Sequence, residues 1–203
     1  MSRQAAAVNK GSKGLKLTDI LVAIVISVVF GIIYKIWSPV YDVAKTAGFQ
    51  LEQVANGMWL IAGPIAFLII RKPGVALLAE TAAAVLSVLI GSEWGTATLV
   101  YGLVQGLFAE AVFALFRYRN YGWGVAAMAG AASAVASVLI DYYYNYVEQL
   151  SFWNMTLFYV SRLIGGFVVA GLLAYAIVKA LEATGVTNLV RPASAKDYDD
   201  LNN

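Results

Sequence analysis

Long apolar stretches alternate with short polar breaks along almost the whole chain. Six such stretches cover approximately residues 17–37, 54–70, 75–90, 96–116, 122–140 and 152–181. A transmembrane helix needs about 20 predominantly apolar residues to cross a hydrocarbon core of about 30 Å. The breaks carry proline, glycine or charged residues, as in Arg71-Lys72-Pro73-Gly74. The pattern therefore predicts an all-α, polytopic integral membrane protein with six transmembrane helices.

The second and third stretches are short for membrane spans, and short spans are tolerated beside a protein-lined cavity or a thinned bilayer. The second stretch also contains Gly63-Pro64. Proline removes a backbone donor and clashes with the preceding helical turn. We therefore expect a bend in this span.

Basic residues concentrate in one set of the predicted loops. If the N-terminus is cytoplasmic, eleven of the fourteen Lys and Arg residues lie on the inner side, and only Lys35 and Lys45 lie on the outer side. The positive-inside rule favours this orientation, and six spans then place both termini in the cytoplasm. The predicted organisation is a cytoplasmic N-terminal segment (1–16), a six-helix transmembrane domain (17–185) and a flexible cytoplasmic tail (186–203). The outer connection 39–53 is either an interfacial helix or a lid.

Composition supports a lipid environment and removes several chemistries. Hydrophobic residues make up 61% of the chain and charged residues 13%, against about 45–50% and about 25% in soluble domains. The sequence has no Cys and no His, so thiol chemistry, the commonest general base and the commonest metal ligand are missing. The scattered basic residues do not indicate nucleic acid. No GxxxxGK[ST] motif occurs, and we expect neither ATP hydrolysis by that route nor a metal or cofactor.

Three ionisable residues lie inside the predicted spans: Glu80, Glu110 and Arg162. Charges are costly in hydrocarbon, so such residues are usually paired or face a cavity. Arg162 is expected to reach one of the two carboxylates. For Glu110, which lies close to Arg117 in sequence, we expect a structural ion pair. For Glu80 the sequence leaves ligand binding and a structural role equally open.

Polar and aromatic residues gather at the predicted outer ends of the spans. A belt of interfacial aromatic rings is general in membrane proteins, but it does not explain the amides and carboxylates beside the rings. Rings stack on flat groups and hold cations, whereas amides and carboxylates bind amines and ring nitrogens. The cluster suits a small, flat, cationic ligand. Its candidate substrate-binding members are Asn56, Trp59, Trp94, Tyr101, Gln105, Asp141, Asn145 and Tyr159.

Small residues recur four apart in the first span, at Ala23, Ser27 and Gly31. Such stripes allow close approach of another helix. The stripe either docks a partner subunit or packs inside the bundle, and the pattern alone leaves both open.

Three short motifs carry a resemblance to a known family. The runs Asn56-Gly57-Met58-Trp59 and Gly91-Ser92-Glu93-Trp94-Gly95, and Arg71-Lys72-Pro73-Gly74 followed by Glu80, resemble the S components of energy-coupling factor (ECF) vitamin transporters, in particular the YkoE type. The resemblance covers roughly residues 15–185.

The resemblance implies a subunit of the bacterial cell membrane that captures thiamin or its hydroxymethylpyrimidine precursor from outside. A transmembrane T component and ATPase subunits would supply the energy. By the same analogy, Glu80, Asn56, Trp59, Trp94 and tyrosines would contact the vitamin, and the stripe at Ala23, Ser27 and Gly31 would dock on the T component. Three other hypotheses remain open: a stand-alone carrier with Glu80 or Glu110 as a proton relay, a ligand-free membrane scaffold, and a membrane enzyme limited to carboxylates.

Overall fold

The computed structural model describes residues 14–190, apart from the side chain of Leu189, and within that range the chain is helical without β-strands. Residues 1–13 and 191–203, which hold most of both predicted terminal segments, lie outside the described residues. The helices are α1 (Leu17–Ile36), α2 (Ser38–Thr46), α3 (Glu52–Ala55), a 3-10 helix (Asn56–Leu60), α4 (Ala62–Ile70), α5 (Val75–Leu89), α6 (Ala97–Leu115), α7 (Trp123–Tyr143), α8 (Phe152–Gly165), a π-helix (Gly166–Leu173), α9 (Ala174–Ala183) and a 3-10 helix (Val186–Leu189).

The predicted class of an all-α polytopic membrane protein is confirmed. Five helical stretches of the described chain are long and apolar enough to span a membrane, and the sixth apolar helix, α5, is shorter at 15 residues. At 1.5 Å per residue it rises only about 22 Å. The predicted segments lie close to the observed helices, except that the first continues through Trp37 into α2.

The second span is interrupted, but not in the way that Gly63-Pro64 predicts. The α3 helix gives way to 3-10 geometry at Asn56, and α4 starts afresh at Ala62. Pro64 therefore lies in the first turn of α4, where a missing backbone donor costs nothing. The break creates a helix N-terminus within the bundle, at Ala62.

Very close backbone contacts hold the long sixth span against its neighbours. A Cβ atom added to Gly130 of α7 would lie 2.1 Å from the carbonyl oxygen of Gly166, and one added to Gly57 would lie 2.2 Å from that of Gly165. Helices in lipid associate largely through such small-residue contacts, because burial of apolar surface drives little there. The π-helix thus fits between α7 and the interrupted second span.

The small-residue stripe of α1 packs inside the chain. Ala23 and Ser27 are 1% and 3% exposed, and the Ser27 hydroxyl donates to the carbonyl of Ala79 on α5 at 3.2 Å. A Cβ on Gly31 would lie 2.9 Å from the carbonyl oxygen of Ala83. The stripe therefore packs against α5, which is the internal-packing alternative, while docking of a partner through Ala23, Ser27 and Gly31 stays a prediction.

We predict that Gly130→Ala destabilises the protein, because the new methyl group collides with backbone rather than with a movable side chain. Overpacking of this kind costs about 1–3 kcal/mol or more. Gly124→Ala, on the same helix with nothing within 4 Å of its Cβ position, is the matched control and should cause no loss. Thermal unfolding in detergent measures both, and equal melting temperatures for the two variants would contradict the packing described.

Candidate ligand-binding site

A cavity lies between α1, α2, α5, α6 and the interrupted second span. Its empty space is about 690 Å³, including the part open to solvent. The lining residues are Tyr34, Lys35, Ser38, Tyr41, Asn56, Trp59, Glu80, Ala84, Ser87, Ser92, Trp94, Thr98, Tyr101, Gly102, Gln105, Asp141 and Arg162.

Glu80 is a buried charged residue of the cavity wall, only 1% exposed. Its Oε1 accepts a hydrogen bond from the Tyr34 hydroxyl at 2.6 Å, and its Oε2 accepts one from the backbone N–H of Gly63 at 2.8 Å. The Tyr34 oxygen in turn accepts from the N–H of Ala62 at 3.2 Å. Glu80 and Tyr34 together cap the start of α4, where backbone donors lack helical partners and the helix dipole favours negative charge.

Three aromatic rings form part of the cavity wall. The rings of Tyr41 and Trp59 lie 5.1 Å apart, and Trp94 meets Tyr41 edge-on at 6.5 Å. The indole Nε1 of Trp59 donates to the carbonyl of Tyr34 at 2.8 Å, which fixes the orientation of its ring. These are pre-oriented faces of the kind that attract flat or cationic groups.

Asn56 offers an unused acceptor. Its side-chain oxygen Oδ1 is buried and has no hydrogen-bond partner among the described residues, although Asn56 lines the cavity. Buried polar atoms are nearly always paired. A ligand N–H group would satisfy this oxygen, as would a water molecule.

Arg162 is the main hydrogen-bond donor in a second buried network of polar side chains. Its Nε and Nη2 donate to the side-chain oxygen of Gln53 at 2.9 and 2.5 Å, and its Nη1 donates to Ser137 at 2.9 Å. Its Nη2 also lies 3.0 Å from Asp141 Oδ2, as an ion pair without well-directed hydrogen-bond geometry. Gln53 donates onward to the hydroxyl of Tyr41 at 3.3 Å, so the network ties α2 to the bundle.

This network corrects the prediction that Arg162 pairs with Glu80 or Glu110. Arg162 instead faces α3 and α7, while Glu80 faces the start of α4. Glu110 does have the structural role expected of it, but its partners are backbone N–H groups rather than an arginine: it accepts from Gly74, Ala76 and Leu77 at 2.6, 2.9 and 3.2 Å.

The Glu110 carboxylate also affects the turn after α6. Partial burial and the nearby charge of Glu110 raise the pKa of the Tyr118 hydroxyl above its usual value. Glu110 therefore acts at the end of the bundle away from the cavity.

The structure brings together seven of the nine proposed ligand-contact residues around the cavity: Asn56, Trp59, Glu80, Trp94, Tyr101, Gln105 and Asp141. The Tyr101 hydroxyl donates to Asp141 Oδ1 at 2.5 Å. Asn145 and Tyr159 lie elsewhere. Asn145 is exposed in the turn after α7, and Tyr159 packs edge-on against Phe158. The roles of all nine in binding stay predictions.

The sequence reasoning missed one face of the first span. Tyr34, Ser38 and Tyr41 all line the cavity, and their spacing of four and three residues places them on one helical face. The signal was therefore present. The prediction that the first span ends at residue 37 separates Tyr41 from this face, whereas Pro39 occupies the first turn of α2 and the helical path continues.

Comparisons with known proteins agree with this architecture. Residues 18–136 match the family described as "ABC-type cobalt transport system, permease component". The chain is 38% identical over 177 residues to the "Putative HMP/thiamine permease protein YkoE" of Bacillus subtilis (strain 168), covering 87% of this chain and 89% of that protein. A solved structure described as "Crystal structure of an S-component of ECF transporter" superposes with a TM-score of 0.83 at 35% identity, covering 93% of this chain and 95% of the other.

The fold, the cavity and these similarities define a multi-pass membrane transport protein rather than an enzyme. The chain belongs to the family of ECF transporter S components, of the YkoE type. S components are the substrate-binding membrane subunits of these transporters, so the scaffold and enzyme hypotheses are set aside.

We predict that Arg162→Met lowers the free energy of unfolding by about 3–5 kcal/mol, because it leaves the buried Asp141 carboxylate without its cation. The double variant Arg162→Met/Asp141→Asn should recover part of that loss. Lys35→Gln breaks the exposed Lys35–Glu93 pair, whose charged atoms lie 3.6 Å apart, and should cost no more than about 1 kcal/mol. Denaturant titration in detergent measures all three, and a stable Arg162→Met protein would contradict the network.

Proposed function

We propose that this S component captures thiamin or its hydroxymethylpyrimidine moiety from the outer side and delivers it inward together with T and ATPase subunits. The observation that carries the proposal is the cavity composition. It combines a buried carboxylate without a cationic partner, an unused amide acceptor and oriented aromatic faces. The name of the relative from Bacillus subtilis, a putative HMP/thiamine permease, supports the same ligand class.

The chemistry of the ligand suits these groups. Thiamin has a cationic thiazolium ring and a flat aminopyrimidine. The carboxylate of Glu80 supplies the compensating charge, while the faces of Trp59 and Trp94 supply stacking surfaces for either ring. The exocyclic amine of the pyrimidine is a donor that the free Oδ1 of Asn56 would accept.

A metal ion fits the cavity less well. The matching family is described by cobalt transport, yet in residues 14–190 no three His, Cys, Asp or Glu side chains come together as a metal site. Cobalt prefers nitrogen and softer ligands to scattered carboxylates, and the whole chain has no His or Cys. The organic cation is therefore the better candidate.

Charge placement supports an outward-facing cavity. Near its mouth, the α1–α3 region carries Lys35 and Lys45. The opposite end of the bundle carries more basic residues, at Lys16, Arg71, Lys72, Arg117, Arg119 and Lys179. By the positive-inside rule that opposite end is cytoplasmic. The cavity then opens to the outside, and both chain termini lie in the cytoplasm.

Energy for delivery would come from partner subunits, because the sequence contains no phosphate-binding GxxxxGK[ST] loop. Uptake by the chain alone would instead favour the stand-alone carrier. Exposed apolar residues of α1, among them Leu21, Val25 and Val29, are available to lipid or to a T component on the side away from α5.

Isothermal titration calorimetry of the detergent-purified protein tests the ligand. We expect stoichiometric binding of thiamin or hydroxymethylpyrimidine. Glu80→Gln should weaken thiamin binding by about 1.5–3 kcal/mol, the usual contribution of a hydrogen bond to a charged group. Glu148→Gln makes the same chemical change at an exposed position outside the cavity lining and is the control. Absence of heat with either ligand for the folded wild-type protein would overturn the ligand assignment.

Single cysteines test the orientation, since the natural chain has none. Lys45→Cys should react with a membrane-impermeant maleimide in intact cells, because α2 would face the outside. Arg119→Cys, in the turn between α6 and α7, should react only after the membrane is permeabilised. The reverse pattern would mean that the cavity opens to the cytoplasm.

A further inference from the structure

The charged groups that line the cavity are paired, with one exception. Within the lining, Arg162 faces Asp141 at 3.0 Å. Lys35 faces Glu93, a half-exposed residue just outside the lining, at 3.6 Å, so each pair is neutral in sum. The two hydrogen-bond donors to Glu80 are uncharged, a tyrosine hydroxyl and a backbone N–H. Glu52 is buried close by, in contact with Gln53, but it does not line the cavity. The described lining therefore leaves one uncompensated carboxylate.

The place where an anionic ligand group would normally bind is already occupied. Helix N-termini bind phosphate and other anions through their free N–H groups. The nine-residue helix α4 begins beside the cavity, but its N–H groups at Ala62 and Gly63 already bind the Tyr34 hydroxyl and the Glu80 carboxylate. The protein's own carboxylate takes the position of the anion.

The two cations of the lining, Arg162 and Lys35, also have carboxylate partners already. The guanidinium of Arg162 donates to Gln53 and Ser137 as well as facing Asp141. Lys35, at the mouth, is paired with Glu93. No cation in the described lining is left without a carboxylate partner, so a ligand phosphate would have to break an existing pair.

We propose that Glu80 makes this cavity selective by charge, so that it accepts cationic or neutral heterocycles and rejects their phosphate esters. The proposal rests on the proposed function and deepens it: the imported form is the unphosphorylated one. A phosphate ester would bring two negative charges toward a buried carboxylate in a region of low dielectric, where repulsion is poorly screened. Any phosphorylation of the ligand would have to follow import.

The direct test compares each ligand with its own phosphate ester by tryptophan fluorescence: thiamin with thiamin monophosphate, and hydroxymethylpyrimidine with its phosphate. In wild type the phosphate should weaken binding at least about 100-fold, as expected for close like charges that are poorly screened. Glu80→Gln removes the charge and should reduce that ratio at least about tenfold. It also replaces one of the two accepting oxygens with an NH2 group, so it gives up an acceptor for Tyr34 or Gly63. Tyr34→Phe keeps the carboxylate, so it should lower both affinities together and preserve the ratio.

Simple ring probes separate this inference from the identity of the vitamin. Benzyltrimethylammonium, benzyl alcohol and benzyl phosphate share one ring and differ in charge. Wild type should bind them in that order. If the probes bind in that order but neither thiamin nor hydroxymethylpyrimidine binds, the assignment of the vitamin is wrong and charge selection by the cavity is still supported.

Two results would overturn charge selection: equal responses to the three probes, or a phosphate ester that binds wild type within threefold of its parent. Both are measured on the wild-type protein, so they hold even if Glu80→Gln fails to fold.

Discussion

The structure depends on how the interrupted second span satisfies its backbone at the start of α4. Within a membrane, backbone N–H groups need partners from the protein, because lipid offers none. Glu80 and the Tyr34 hydroxyl supply them for Gly63 and Ala62. The same carboxylate that permits the break also faces the cavity that the break opens. Glu80 therefore has two roles: it binds the backbone at the start of α4, and it is the proposed carboxylate for the ligand.

The sequence predicts the class and much of the cavity, for physical reasons. Apolar runs are long enough to be unambiguous, and an intramembrane charge such as Glu80 stands out because it is costly. Asn56 and Trp59 were found because they lie beside each other at a span end. For the connection 39–53 the sequence left an interfacial helix and a lid open, because Pro39 reads equally well as a stop signal and as a first-turn residue. The structure shows the helix α2 there.

Partners across the fold were beyond sequence reasoning. Arg162 binds Gln53, Ser137 and Asp141, all far away in the chain, and helical spacing carries no information on such pairings. The stripe at Ala23 and Ser27 shows the same limit. Small residues indicate that a helix approaches, but only the structure shows that this helix is α5 of the same chain.

The central claim is that Glu80 and the surrounding rings form the binding site of this S component. A high-resolution structure of the protein with thiamin tests it most directly. We expect the ligand to lie between Trp59 and Trp94, with ring nitrogens or the exocyclic amine within hydrogen-bond reach of Glu80 and Asn56 Oδ1. Thiamin bound elsewhere, with this cavity filled only by water, would contradict the account.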